Sequence, residues 1–309
     1  RAMARVTKRE KGRNPLIVIV GPTASGKSEF GVRLARRFEG EIISADSRQV
    51  YKGLDIGTAK VSRREMMGVP HHLLDVTSPK KNFTVVDYQN KARKVLEAVF
   101  SRSRVPFVVG GSPLYIYALT DGWIFPQVKP NAVLRKRLEK FSVEELFSRL
   151  QKLDPARAES IEPQNRRRLL RAIEIIETSG KPVPPLKKRP LPYPMLFLGI
   201  KRSKEELHTR IERRLGKMLR RGLIKEVEGL HARGIPWKKF NQLGFEYKYV
   251  AQYLQGKISK EEMKRKILKE TLDFTSRQML WFKRDPRIHW ISSYSQGGGF
   301  VKNYLKKFL

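Results

Sequence analysis

The 309 residues include 65 Lys and Arg against 30 Asp and Glu, a formal net charge of +35. Such an excess repels itself unless a polyanion shares the surface, which points to nucleic acid; a charge-rich thermophilic surface would instead match Lys with Glu in ion-pair networks. The absence of cysteine excludes disulfides, thiolate chemistry and Cys-type zinc sites, and no apolar run approaches the roughly 20 residues of a membrane span. Arg1 to Asn14 is basic and lacks an apolar signal core, so it predicts an unstructured or RNA-touching arm rather than a secretory leader, with the cytoplasm as the default location.

Leu16 to Val20 is a continuous, β-branched apolar run and predicts a buried parallel strand. A helical pattern follows from about Lys27 to Phe38, then a second short strand at Glu41 to Ser44. Helical spacing returns over Thr84 to Phe100, and Val105 to Val109 predicts a third buried strand ending in Gly110-Gly111. Strands alternating with helices indicate an α/β fold with a parallel sheet. Past Gly122 the texture changes. Two helical stretches carry Val143, Leu146, Phe147, Leu150 and Leu153, then Leu169, Leu170, Ile173 and Ile176, the second ending at Gly180. Lys181 to Pro194 holds six prolines and four cations and reads as a linker, after which Met195 to Ile200 resumes a buried strand. Residues 126–192 are therefore expected to form a helical insertion, and residues 14–125 with 193–309 an α/β domain with C-terminal helices. One long amphipathic helix is expected from about Lys204 to Arg233, N-capped by Ser203 with Glu206 completing a capping box. Further helices are expected over Tyr247–Leu254 and Ser259–Phe282. With no apolar heptad or surplus stripe, a monomer is expected.

Gly21-Pro22-Thr23-Ala24-Ser25-Gly26-Lys27-Ser28 matches G-x-x-x-x-G-K-[ST] between a predicted strand and a predicted helix. The fold class is thus an α/β, P-loop NTPase-like core, a parallel sheet flanked by helices, plus the inserted helical domain. Glycines let the backbone curl so that successive N–H groups address one anion, and the helix N-terminus adds positive potential. Lys27 supplies a point charge, and the Ser28 hydroxyl can ligate Mg²⁺. This establishes a polyphosphate ligand without saying whether it is ATP. Asp46 lies just past the second strand, where open parallel sheets bind ligands. It could hold Mg²⁺, act as a general base or cap the next turn. Gly110-Gly111 permits close approach of a ligand or of a second backbone, and Ser112 adds a hydroxyl. Arg166, Arg167, Arg168 and Arg171 at a helix start are either a solvated face or an RNA phosphate contact, and the basic chain favours the latter. Of Arg210, Arg213 and Arg214 on the long helix, at least one is expected to point toward the phosphate site.

Taken together, the motifs resemble one family, the bacterial tRNA dimethylallyltransferases, also called tRNA isopentenyltransferases. The resemblance rests on the phosphate loop, Ser44-Ala-Asp-Ser-Arg-Gln-Val-Tyr51, Asp55-Ile-Gly-Thr-Ala-Lys60, Pro70-His-His-Leu-Leu-Asp75 and Val109-Gly-Gly-Ser-Pro-Leu-Tyr115. It continues through Arg167-Arg-Leu-Leu-Arg171-Ala-Ile-Glu174, Arg210-Ile-Glu-Arg-Arg214, Leu243-Gly-Phe-Glu246 and Thr275-Ser-Arg-Gln-Met-Leu-Trp-Phe282. Two departures stand out. Ser112 and Pro113 replace the family's usual Thr and Gly, and Gly244-Phe245-Glu246-Tyr247 replaces Gly-Tyr-Lys/Arg-Glu/Gln.

The resemblance implies transfer of the prenyl group of dimethylallyl diphosphate to N6 of the adenine 3′ of the anticodon (position 37) in tRNA, without ATP hydrolysis. It implies that Gly21 through Ser28 hold the diphosphate with Mg²⁺ at Ser28, and that Asp46, Ser112, Arg214 and Lys27 carry the chemistry. It also implies tRNA contacts by Asp46, Ser47, Arg48, Gln49, Ser112, Arg135, Arg167, Arg168, Arg171, Gly244 and Phe245, with the helical insertion gripping the anticodon stem-loop. Three rivals make different demands. A P-loop kinase or NTPase would need a Walker-B carboxylate, yet the third strand ends in Gly110-Gly111. A prenyltransferase acting on free adenine nucleotides would have little use for the basic insertion. A non-catalytic RNA-binding module would give no product.

Overall fold

Leu16–Val20 forms strand β1, every residue of which is buried. Residues 14–308 are described by the structure, a computed structural model; the expected basic arm lies, apart from Asn14, outside the described residues. Helix α1 (Lys27–Arg37) follows β1, then β2 (Gly40–Ser44), the two-residue β3 (His71–His72), α2 (Val85–Ser101), β4 (Val105–Gly110) and α3 (Pro113–Thr120). Next come β5 (Trp123–Ile124), α4 (Ala132–Leu138), α5 (Val143–Leu153), α6 (Pro155–Ser160), α7 (Arg166–Ser179) and β6 (Lys187–Lys188). The chain continues through β7 (Met195–Ile200), α8 (Lys204–Arg220), α9 (Leu223–Ala232), α10 (Trp237–Phe240), α11 (Phe245–Leu254), α12 (Lys260–Lys283), β8 (Ile288–Ile291) and α13 (Tyr294–Leu305).

The chain divides into two units, 1–121 with 190–309, and 122–189. The cut falls a few residues ahead of the boundaries expected from composition.

In the first unit, six strands run parallel in the order β3-β2-β4-β1-β7-β8. Continuous apolar runs suit this arrangement because helices cover both faces of a parallel sheet. Ile17 and Ile19 pack with Val32, Leu34 and Ala35 of α1 and Val301 of α13. Each buried Ile, Val or Leu of this set contributes about 1.5–3 kcal/mol, so the sheet is a rigid platform for the loops at its carboxyl edge. Chain order and spatial order part company at β1: β2 follows it in sequence, but β4 lies between them. That reversal opens a crevice at the carboxyl ends of the strands. Gly110 is required there, since a Cβ would lie 2.1 Å from the Ala45 carbonyl oxygen.

The expected single helix from Lys204 to Arg233 is instead two helices. Gly222 adopts φ 95°, a left-handed conformation that ends α8 and starts α9. Ser203 does cap α8, accepting from the Glu206 N–H at 3.0 Å. The Glu206 carboxylate, however, faces Arg202 and Arg210 rather than closing a capping box. Thr84 builds the reciprocal box, with Asp87, at the start of α2.

The second unit closes four helices on its own core, including Leu134, Leu138, Leu146, Leu150, Leu169 and Ile173. The proline-rich stretch read as a linker contains β6, which pairs antiparallel with β5.

Candidate active site

The phosphate loop curls tightly after β1. Ser25 N–H donates to the Pro22 carbonyl, and Ala24 (φ 62°) and Gly26 (φ 91°) both take left-handed conformations. Two arginines hold its outer carbonyls: Arg210 Nε donates to Ala24 O (2.7 Å) and Arg202 Nε to Ser25 O (3.1 Å). Gly21, Pro22, Ala24, Ser25 and Gly26 build the curl, while Thr23, Lys27 and Ser28 line the adjoining cavity. Lys27 Nζ donates to the Pro22 carbonyl at 3.2 Å. Burial pulls the Lys27 ammonium down to about 8, against the raising charge of Asp46 and with the lowering charge of Arg214. An anion arriving beside it would raise that value and favour the charged form.

Asp46 lines the same cavity. Its Oδ1 accepts from the Arg48 N–H (2.8 Å) and the Gln49 N–H (3.3 Å). The capping and cavity-facing readings of this residue are therefore compatible, one oxygen being anchored to the turn. Ser112 also lines the cavity, its Oγ accepting from the Ser47 N–H at 3.2 Å and donating to Ser47 Oγ at 3.4 Å. Arg214 lines it from α8, with Nη2 donating to the Thr58 carbonyl at 3.2 Å. Of the three arginines on that helix, Arg214 enters the cavity, Arg210 secures the phosphate loop and Arg213 is exposed. Ser47, Arg48, Gln49, Gly244 and Phe245 complete the assigned residues at the cavity wall. Gln49 is buried there, its amide donating to the Thr58 and Ala59 carbonyls, and Arg48 reaches the Gln242 carbonyl.

Gln278, Glu246 and Tyr247 enter the site in roles not assigned from the sequence. Gln278 of α12 is buried, with 3% exposure, and bridges two loops. Its Oε1 accepts from the Thr23 N–H at 2.9 Å, and its Nε2 donates to the Gly111 carbonyl at 2.5 Å. Phe245 meets Phe274 edge to face with ring centroids 5.6 Å apart, giving the cavity an apolar wall. Glu246 is a second carboxylate at the cavity; burial raises its pKa, opposed first by Arg214. Tyr247, fully buried, donates to Glu226 Oε1 at 2.6 Å. The two glycines at the end of β4 divide the roles considered for them: Gly110 meets a second backbone, while a Cβ on Gly111 would lie 2.7 Å from Gln278 Nε2 and 3.1 Å from Lys27 Nζ.

Among the described residues no cluster of three or more His, Cys, Asp or Glu could hold a metal. The donor set instead suits Mg²⁺ carried with a diphosphate. Ser28 and Asp46 offer hard oxygens at one cavity, and Mg²⁺ characteristically takes one or two protein ligands with phosphate oxygens and water.

The arginines assigned to tRNA in the 122–189 unit differ among themselves. Arg135 grips the fully buried Glu174 through Nε and Nη2 (2.7 and 2.8 Å), and Arg171 Nη1 reaches the same carboxylate at 2.6 Å. Although burial opposes it, these two cations and the Asn131 N–H hold Glu174 below its usual pKa. Arg166 bridges the Phe141 and Glu139 carbonyls. Arg167 and Arg168 are exposed, Arg168 lying 3.5 Å from Glu162.

A family profile described as IPP transferase matches residues 49–285. The chain is 41% identical over 288 residues to a tRNA dimethylallyltransferase of Pelotomaculum thermopropionicum, covering 91% of this chain and 92% of that one. A relative of the same name from Carboxydothermus hydrogenoformans is 41% identical over 286 residues, with 90% and 92% covered. Among solved structures, the full-length tRNA isopentenylpyrophosphate transferase of Bacillus halodurans matches with a TM-score of 0.72 at 34% identity, covering 97% of this chain and 98% of that one. A eukaryotic dimethylallyltransferase captured acting on tRNA also matches with a TM-score of 0.72, at 26% identity, covering 92% of this chain and 75% of that one. With its phosphate loop, its facing carboxylate and these relatives along nearly its whole length, the chain belongs to the IPP transferase family.

Proposed function

We propose that this protein transfers the dimethylallyl group of dimethylallyl diphosphate to N6 of the adenine 3′ of the anticodon, position 37, in tRNA, releasing diphosphate, and that it works as a cytoplasmic monomer. The observation that carries this reading is one cavity lined both by Lys27 and Ser28, suited to a diphosphate, and by Asp46 and Ser112, suited to an amine.

The adenine amine is a poor nucleophile because its lone pair is delocalised into the ring. As the bond from N6 to the allylic C1 forms and the C1–O bond breaks, Asp46 takes one N6 proton. Positioned proton transfer contributes about 10²–10⁴-fold. The oxygen that leaves C1 gains negative charge, which the loop N–H groups, Lys27 and Arg214 stabilise; preorganised donors of this kind are worth about 3–4 kcal/mol each. Ser112 holds the amine in line. Ser28 would hold Mg²⁺, which when bound would neutralise part of the diphosphate charge. Flipping the adenine out of its loop costs a few kcal/mol of unstacking, which stacking on rings such as Phe245 offsets.

Incubating tRNA with dimethylallyl diphosphate, followed by nucleoside mass analysis, should reveal one added C5 unit on adenosine. Absence of that adduct, with ATP hydrolysed or AMP preferred as acceptor, would replace this reading by one of its rivals.

A further inference from the structure

The loop Asp55–Lys60 forms part of the cavity wall through Gly57, Thr58 and Ala59, and it is held from behind by a side chain that does not itself line that cavity. Glu226 of α9 accepts from three consecutive backbone N–H groups: Asp55 (3.1 Å) and Ile56 (2.7 Å) at Oε2, and Gly57 (3.1 Å) at Oε1. Its fourth donor is the Tyr247 hydroxyl, at 2.6 Å. Successive N–H groups converging on one anion make a nest, and here the anion is built in. Gly57 is required for this, since a Cβ would lie 2.7 Å from the Tyr247 ring. At the loop's other end, Lys60 is buried and bonds Asp55, Asp75 and the Tyr51 carbonyl. Between these anchors sits the Thr58 carbonyl, which receives Arg214.

The break between α8 and α9 makes this grip possible. In one straight helix Arg214 and Glu226 would stand about 18 Å apart along the axis, whereas the segment they grip, residues 55–58, spans at most about 10 Å. The left-handed Gly222 folds the two helices so that both side chains reach one loop.

We infer that Glu226 is a positioning residue: by fixing the Asp55–Gly57 backbone it sets the Thr58 carbonyl, which in turn aims the Arg214 guanidinium at the departing diphosphate. The inference rests on the reading of Arg214 above.

The test is a double-mutant cycle on the full chain, read by calorimetric titration with dimethylallyl diphosphate and by kcat and KM with tRNA. Glu226→Gln preserves size but sets an amide N–H among four donors. It should weaken diphosphate affinity about tenfold, and by less than about twofold once Arg214→Ala is present, because the two act through one path. Tyr247→Phe should act in the same direction by about threefold, and this too should vanish with Arg214→Ala; it carries the test if Glu226→Gln fails to fold. Additive losses, or wild-type affinity in both variants, overturn the positioning role. If Arg214→Ala alone leaves the affinity unchanged, the assignment of Arg214 to the diphosphate falls, and the coupling falls with it.

Discussion

The phosphate-loop edge of the first unit and the helical unit 122–189 advertise themselves alike in sequence, as cations set among apolar residues, but the structure spends those cations differently. Lys27 and Arg214 donate to neutral carbonyls, of Pro22 and Thr58. Arg135 and Arg171 close on Glu174, and Arg137 and Arg149 on Glu177. A carbonyl positions a cation without cancelling its charge, whereas a carboxylate does both. For these six cations the nature of the partner, rather than the density of Lys and Arg, separates those at the cavity from those that hold helices together.

The largest effect that would test this contrast belongs to Asp46, the carboxylate that shares the cavity with Lys27. Asp46→Asn keeps an oxygen for the Arg48 and Gln49 N–H groups but cannot take a proton. Turnover should fall about 10²–10⁴-fold, with tRNA and prenyl diphosphate affinities little changed. Turnover within about tenfold of wild type would remove Asp46 as the base. Asp46→Ala also releases the turn, so its lower melting temperature would distinguish the capping role from the chemical one.

Next comes Lys27. Lys27→Met should cut kcat about 10²–10³-fold, as expected for loss of one donor to a developing anion. Its depressed pKa adds a signature with a definite sign. In the free protein the ammonium is charged below about 8 and loses its proton as pH rises through that value. A bound diphosphate favours the charged form, so its affinity should be level below that pH and decline above it by up to about tenfold per pH unit, with proton uptake on binding. Titration in buffers of different ionisation enthalpy would reveal that uptake. Lys27→Met should abolish both the uptake and the slope, and a slope surviving the substitution would assign it to another group.

In the helical unit the prediction concerns stability. Glu174→Ala leaves Arg135 and Arg171 facing each other without their shared carboxylate. The cost should be about 2–3 kcal/mol, smaller than for a fully buried pair because both arginines are partly exposed to water. Denaturant unfolding of the full chain should show it, while prenyl diphosphate affinity, set in the other unit, should not move. An unchanged unfolding midpoint would mean that the Glu174 cluster contributes nothing net.

The sequence revealed features that depend on neighbouring positions. β1, the phosphate loop and β7 could be read because burial on both sheet faces leaves uninterrupted apolar runs and because a tight anion-binding curl demands glycine. α3 is apolar nearly all round, so no helical period marks it, and β8 is a four-residue edge strand whose middle positions are His289 and Trp290. The α8–α9 break was hidden because Leu219, Leu223 and Val227 keep the helical spacing across it, leaving Gly222 as the one clue. The roles of Gln278, although it sits inside the Thr275–Phe282 motif, and of Glu226 were illegible for a different reason: each acts on backbone more than 160 residues away in sequence. Ordinary polar residues on amphipathic helices acquire such roles only when the chain has folded.

The smallest predicted effect separates the arginines of the helical unit from one another. Arg167 is exposed, and Arg135 is bound to Glu174, so truncating them should register in different measurements. An arginine that neutralises one RNA phosphate releases about one condensed counterion, so Arg167→Ala should weaken tRNA binding several-fold at low salt. The slope of log affinity against log salt should become shallower by about 0.7–0.9, kcat at saturating tRNA being unchanged. Arg135→Ala should leave that slope alone and lower the unfolding midpoint instead. If Arg135→Ala flattened the salt slope as much as Arg167→Ala does, Glu174 would have to yield its partner to the phosphate, and a carboxylate contact would no longer mark a cation as structural in this unit.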